Sequence, residues 1–127
     1  MAAHGTFLWN ELATTDPDKA AAFYGAVLGW TFNAMDMGPN GTYTIIKSGD
    51  TDAGGMLKME GPQFEGMSPH WMSYIAVDDV DAAVGKVEAA GGQVAAQPFD
   101  IPTVGRIAVI VDPTGAAISL MTPADQG

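Results

Sequence analysis

The spacing of apolar and polar positions changes period several times along this chain, and each change marks an element. Thr6–Thr14 alternates in the manner of a strand and carries aromatic residues. Thr15-Asp16-Pro17-Asp18 then sets up a helix. Asp16 can cap the free amides, Pro17 fits the first helical position, and Asp18 suits the positive end of the helix dipole. Ala21, Tyr24 and Leu28 recur at helical spacing until Gly29 ends the run. Strand-like stretches follow at Trp30–Met37, Thr42–Ser48 and Ala53–Met59, separated by Gly-Pro-Asn-Gly and Gly-Asp-Thr-Asp turns.

The same order then repeats. His70–Val77 predicts a strand, Asp79 a cap, and Val80, Val84 and Val87 a helical stripe closed by Gly91-Gly92. Strands are predicted at Gln93–Pro98, Val104–Val111 and Ala116–Thr122, with Asp112-Pro113-Thr114-Gly115 as the last turn. A shift of 63 residues lays Asp16 on Asp79, Tyr24 on Val87, Leu28-Gly29 on Gly91-Gly92 and Leu57 on Leu120. Punctuation and pattern carry this repeat, since few residues are identical. The chain therefore predicts an α+β fold of two β-α-β-β-β modules, about 5–60 and 70–123, joined by a linker at Glu60–Pro69.

Length and composition fit this picture. At 127 residues with 47% hydrophobic positions, the chain suits a single domain that needs neither disulfide nor metal to fold. The absence of cysteine excludes thiol nucleophiles and thiolate metal sites. Fifteen acidic residues against five basic ones give a net charge of −10, which disfavours nucleic acid and anionic membranes. That charge either attracts a cationic small molecule or simply keeps the protein in solution. The N-terminus does not read as a signal peptide and no apolar run could cross a bilayer, so a cytoplasmic protein is expected.

Phe7-Leu-Trp-Asn-Glu-Leu-Ala-Thr-Thr-Asp-Pro followed by Ala22-Phe-Tyr-Gly-Ala-Val-Leu-Gly-Trp resembles the opening of vicinal-oxygen-chelate proteins. These include glyoxalase I, extradiol dioxygenases, fosfomycin-resistance enzymes and bleomycin-resistance proteins. Val77-Asp-Asp-Val-Asp-Ala-Ala, Ala90-Gly-Gly and Asp112-Pro-Thr-Gly-Ala look like the matching parts of the second module. The resemblance covers about residues 5–123. It implies a half-open barrel with outer helices, a cavity shared by the modules, and a homodimer. It implies metal ligands at Trp9 and Met72 in the first strands and at Met56 and Ser119 in the last strands. Those four residues do not suit Zn, Ni, Fe or Mn, so no metal and no cofactor is expected.

Alternation puts Phe7, Trp9, Glu11 and Ala13 on the strand face opposite Leu8, Asn10, Leu12 and Thr14. Phe7 and Trp9 either make an aromatic platform for a flat ligand or fill the space a metal would take. Glu11 is a candidate general base or cation-binding group, with solvent or Arg106 as its other possible surroundings. His70 either moves protons or bonds the backbone near the linker. Tyr74, aligned with Glu11 by the repeat, offers a phenol or packs. Met56, Met59, Met67, Met72 and Met121 suit an adaptable pocket or a core. His4, in a terminus expected to fray, receives no role.

Two readings of function follow. One is a metal-free protein of the bleomycin-resistance type that binds an aromatic or cationic small molecule. The other is a glyoxalase-like lyase, isomerase or dioxygenase that uses Glu11 or His70 as acid–base groups, or displaced metal ligands. A filled cavity would instead leave a scaffold or partner subunit.

Overall fold

The computed structural model describes residues 3–36, 41–101 and 104–124, without the side chain of Gln63. Its elements are β1 (Phe7–Thr14), α1 (Pro17–Leu28), β2 (Thr31–Asp36), β3 (Thr42–Ser48), β4 (Thr51–Lys58), β5 (His70–Ala76), α2 (Val80–Val84), β6 (Gln93–Ile101), β7 (Gly105–Val111) and β8 (Ala117–Pro123). The fold class is α+β and the β-α-β-β-β order occurs twice. Met37 and the turn at 38–40 lie outside the described residues. The chain divides into two compact units, Trp9–Met72 and Met1–Leu8 with Ser73–Gly127.

In the Trp9–Met72 unit, β4 pairs antiparallel with β3 and parallel with β1, and β2 pairs with the far edge of β3. Local chemistry sets α1. The Asp16 side chain accepts from the Lys19 amide at 3.1 Å, Pro17 opens the helix, and Gly29 ends it in the left-handed conformation at φ 73°. Ala20, Ala21 and Tyr24 of α1 pack, with Trp30 and Phe32, on buried Leu12, Ile46 and Met56. Leu12 thus faces the helix, from the strand face opposite Trp9. The linker holds one 3-10 turn at Pro62–Phe64.

The other unit repeats the plan. β8 pairs parallel with β5 and antiparallel with β7, which pairs with β6. Val77, Val80, Ala108 and Leu120 form its buried centre. The Asp79 side chain caps α2 by accepting from the Ala82 amide at 3.2 Å. Thr122 adds a latch, accepting from the Val80 amide at 3.1 Å and donating to the Val77 carbonyl at 2.9 Å.

Two expectations need correction here. The α2 helix stops at Val84, with Gly85 as its cap, and turns carry the chain on to Gly91. Those turns still bury Val87, so the predicted stripe survives without the predicted helix. The segment His4–Thr6 is also anchored. Gly5 donates to the Ala76 carbonyl at 2.7 Å, Ala76 donates to the Thr6 carbonyl at 2.8 Å, and the Asp78 amide donates to His4 Nδ1 at 3.0 Å.

Candidate functional site

The register of β1 against β4 decides which side chains share a face in the Trp9–Met72 unit. Glu11 stands opposite Gly55 and Leu12 opposite Met56. Trp9, Glu11 and Gly55 therefore lie on the face away from α1, whereas Met56 lies on the helix side with 2% of its surface exposed. In the other unit Tyr74 stands opposite Ser119 and Ile75 opposite Leu120.

The match of Met56 to Ser119 is thereby corrected. Glu11 and Tyr74 are 63 apart, but their last-strand neighbours Gly55 and Ser119 are 64 apart. An extra residue enters the second module before β7. The pairing of β6 with β7 slips at two places, between Val94 and Ala96 and between Ala96 and Phe99, and such bulges absorb additional residues. The first-module position equivalent to Ser119 is Gly55. Met56 is a core residue.

What fills that position is a side chain the sequence reading did not single out. The Tyr43 ring from β3 lies over Gly55 so closely that a Cβ there would overlap the phenol. Trp9 Nε1 donates to Tyr43 Oη at 3.0 Å. Trp9, Tyr43 and Gly55 thus make one continuous contact. The Gly54-Gly55 pair inside a strand was its signal in the sequence, because glycine there marks close approach.

The remaining candidates fall as follows. Glu11 is half-buried within β1. His70 Nδ1 lies 2.8 Å from the Ser68 carbonyl oxygen, the backbone bond considered above. Met72 is half-buried in β5, and Phe7 is 69% exposed. Ser119 is buried at 1% exposure beside half-buried Tyr74. Arg106 bonds Asp81 at 2.7 Å and pairs with Asp100 at 3.2 Å, which holds its guanidinium charged and draws the Asp81 carboxyl below its ordinary value.

The family-wide profile of the glyoxalase/bleomycin resistance protein/dioxygenase superfamily matches residues 6–120. The chain belongs to that superfamily. It is 49% identical over 122 residues to "Putative glyoxylase CFP32" of Mycobacterium tuberculosis (strain CDC 1551 / Oshkosh), covering 96% of this chain and 46% of that protein. It is 33% identical over 129 residues to the "Anthracycline biosynthesis protein DnrV" of Streptomyces peucetius, covering 93% and 47%. The chain thus spans about half the length of these relatives. Among solved structures, methylmalonyl-CoA epimerase from Mycobacterium tuberculosis superposes with a TM-score of 0.68 at 18% identity, over 99% of this chain and 94% of that one. The Mn(II)-bound glyoxalase from Novosphingobium aromaticivorans gives 0.61 at 19% identity, over 98% and 42%. These two likenesses show the fold alone.

The resemblance to metal-dependent proteins raises the question of a metal here. The positions the resemblance assigns, with the register applied, hold Trp9, Gly55 and Met72 in one unit and Ser119 in the other. Neither an indole, a bare backbone, a thioether nor a neutral hydroxyl is a usual ligand for Mn, Zn, Ni or Fe. Among the described residues, no three His, Cys, Asp or Glu side chains come together as a metal-binding group. The residues present do not fit the ion.

Proposed function

We propose that this glyoxalase-like protein binds a flat aromatic or cationic small molecule without a divalent metal. The Trp9–Tyr43 contact over Gly55 carries the reading, because it offers aromatic surface where the resemblance puts ligands for an ion. Glu11 lies on the same strand face as Trp9 and would meet a positive charge on the ligand. Similarity to a protein named for anthracycline biosynthesis supports this ligand class, since anthracyclines are planar and many carry an amine. The proposal includes a cytoplasmic protein that pairs with a second copy of itself; among the described residues no helix is long and apolar enough to cross a membrane.

Doxorubicin, a fluorescent planar amine, is a direct probe. Saturable quenching is expected, unaffected by a chelator and weakened about 10-fold or more by Trp9→Ala, given a stacking contribution of roughly 1–3 kcal/mol. Absence of binding would overturn the ligand class. Near-stoichiometric metal in the purified protein, with a large metal-dependent rise in Tm, would overturn the metal-free reading.

Similarity to a protein named as a glyoxylase favours a second reading, a lyase or isomerase with Glu11 as general base. Glu11→Gln then abolishes turnover, whereas under the binding reading it only weakens doxorubicin quenching. A variant that retains turnover excludes this role.

A further inference from the structure

The α1 helix is apolar around most of its circumference, yet none of its residues is buried. Helices of that kind are ordinarily enclosed. Ala20, Ala21 and Tyr24 cover the sheet. The outer side presents Ala22, Phe23, Ala26 and Val27, with Phe23 59% and Val27 60% exposed. Leu28 and Trp71 continue the patch at 52% and 42% exposure.

The patch is preorganised. Trp71 Nε1 donates to Tyr24 Oη at 3.3 Å, and its ring meets Tyr24 and Trp30 edge-on with centroids 5.7 and 6.2 Å away. Phe23 meets Tyr24 edge-on at 5.1 Å. Rings held in this way lose little side-chain freedom on docking, which is the usual character of interface anchors.

We infer that this outer face of α1, with Trp71, is the surface through which a second copy of the chain docks. Charge favours that occupant. No acidic residue occurs from Lys19 to Met35, although the chain carries fifteen and a net charge of −10. Two copies repel one another over most of their surfaces, and a face built mainly from this stretch, with exposed Asp18 at its N-terminal edge, carries less of that cost. Exposed Phe23 and Val27 stand beside the small exposed residues Ala22 and Ala26. The exposed apolar surface of Phe23, Val27, Leu28 and Trp71 is on the order of 400 Å² per copy, enough for the apolar centre of a standard interface of roughly 1,600 Å² in total. This inference specifies the face of the pairing proposed above and is independent of the ligand.

Sedimentation velocity over a wide concentration range tests it. The wild type is expected to be a dimer. Phe23→Glu combined with Val27→Glu should weaken the pair by about 100-fold or more while leaving far-UV circular dichroism unchanged. In this cysteine-free chain, Ala26→Cys provides a single thiol. A short bis-maleimide should join two such copies efficiently and fail to join copies of a Ser48→Cys control. A monomer at every concentration, a dimer indifferent to both glutamates, or equal cross-linking at the two cysteines would overturn the inference. Doxorubicin quenching by the monomeric double variant separates this test from that of the ligand.

Discussion

Tyr43 lays its phenol against the α-carbon of Gly55, in the volume a side chain at that position would occupy. The contact fixes the identity of both residues. Gly55→Ala pushes Tyr43 off its place and breaks the bond it accepts from Trp9, so a loss of roughly 1–3 kcal/mol is expected in chemical denaturation. Tyr43→Ala should relieve most of the added strain, and a double-mutant cycle reads that as a favourable coupling between the two changes. Additive losses would refute the steric argument.

Met56 separates core from site. It lies 2% exposed against Leu12 and Ile46, on the α1 side of the sheet. Met56→Leu keeps its volume and should cost less than about 1.5 kcal/mol, whereas Met56→Ala should cost about 2–5 kcal/mol. Neither should change the affinity for doxorubicin beyond the fraction of protein unfolded. A large affinity change with intact stability would return Met56 to the binding face.

Much of this architecture was legible because its signals are local. Asp16 and Gly29 bound α1 through bonds to residues within one helical turn, Pro17 adds its fixed φ at the start, and Asp79 caps α2 as Asp16 caps α1. Strand alternation placed Leu12 and Trp9 on opposite faces of β1. The equivalence of Gly55 and Ser119 was not legible, because the repeat shifts by a net one residue across a segment whose bulges in β6 leave no compositional trace. Tyr43 was missed for a related reason. Its role depends on which residue of β4 lies diagonally opposite, and only pairing settles that.

Gly85 ends α2 early, but its backbone at φ −61° and ψ −15° is one any residue adopts. A Cβ there would meet only the Ala82 and Asp81 carbonyl oxygens, at 3.5 and 3.6 Å. Gly85→Ala should therefore stabilise the protein by about 0.4–1 kcal/mol, chiefly by restricting the unfolded chain. Thermal unfolding checks the sign. A lower Tm would show that the turns after Val84 need the freedom of glycine.

Asp112 ties the last hairpin together and makes its stability depend on pH. Its carboxylate accepts from the Thr114 hydroxyl at 2.6 Å, the Thr114 amide at 2.8 Å and the Ala116 amide at 3.1 Å. The Thr114 hydroxyl contributes most, and together these bonds hold the carboxyl below its ordinary value. A depressed folded-state value stabilises the protein above the unfolded-state value and ceases to do so as pH falls through the folded one. Asp112→Ala should therefore lower Tm at neutral pH, with the gap to wild type closing in acid below the ordinary aspartate range. Thr114→Ala, which removes the strongest of these bonds, should make that gap begin to close at higher pH. A gap that stays constant down through that range would show that Asp112 acts through the shape of the turn and not through its charge.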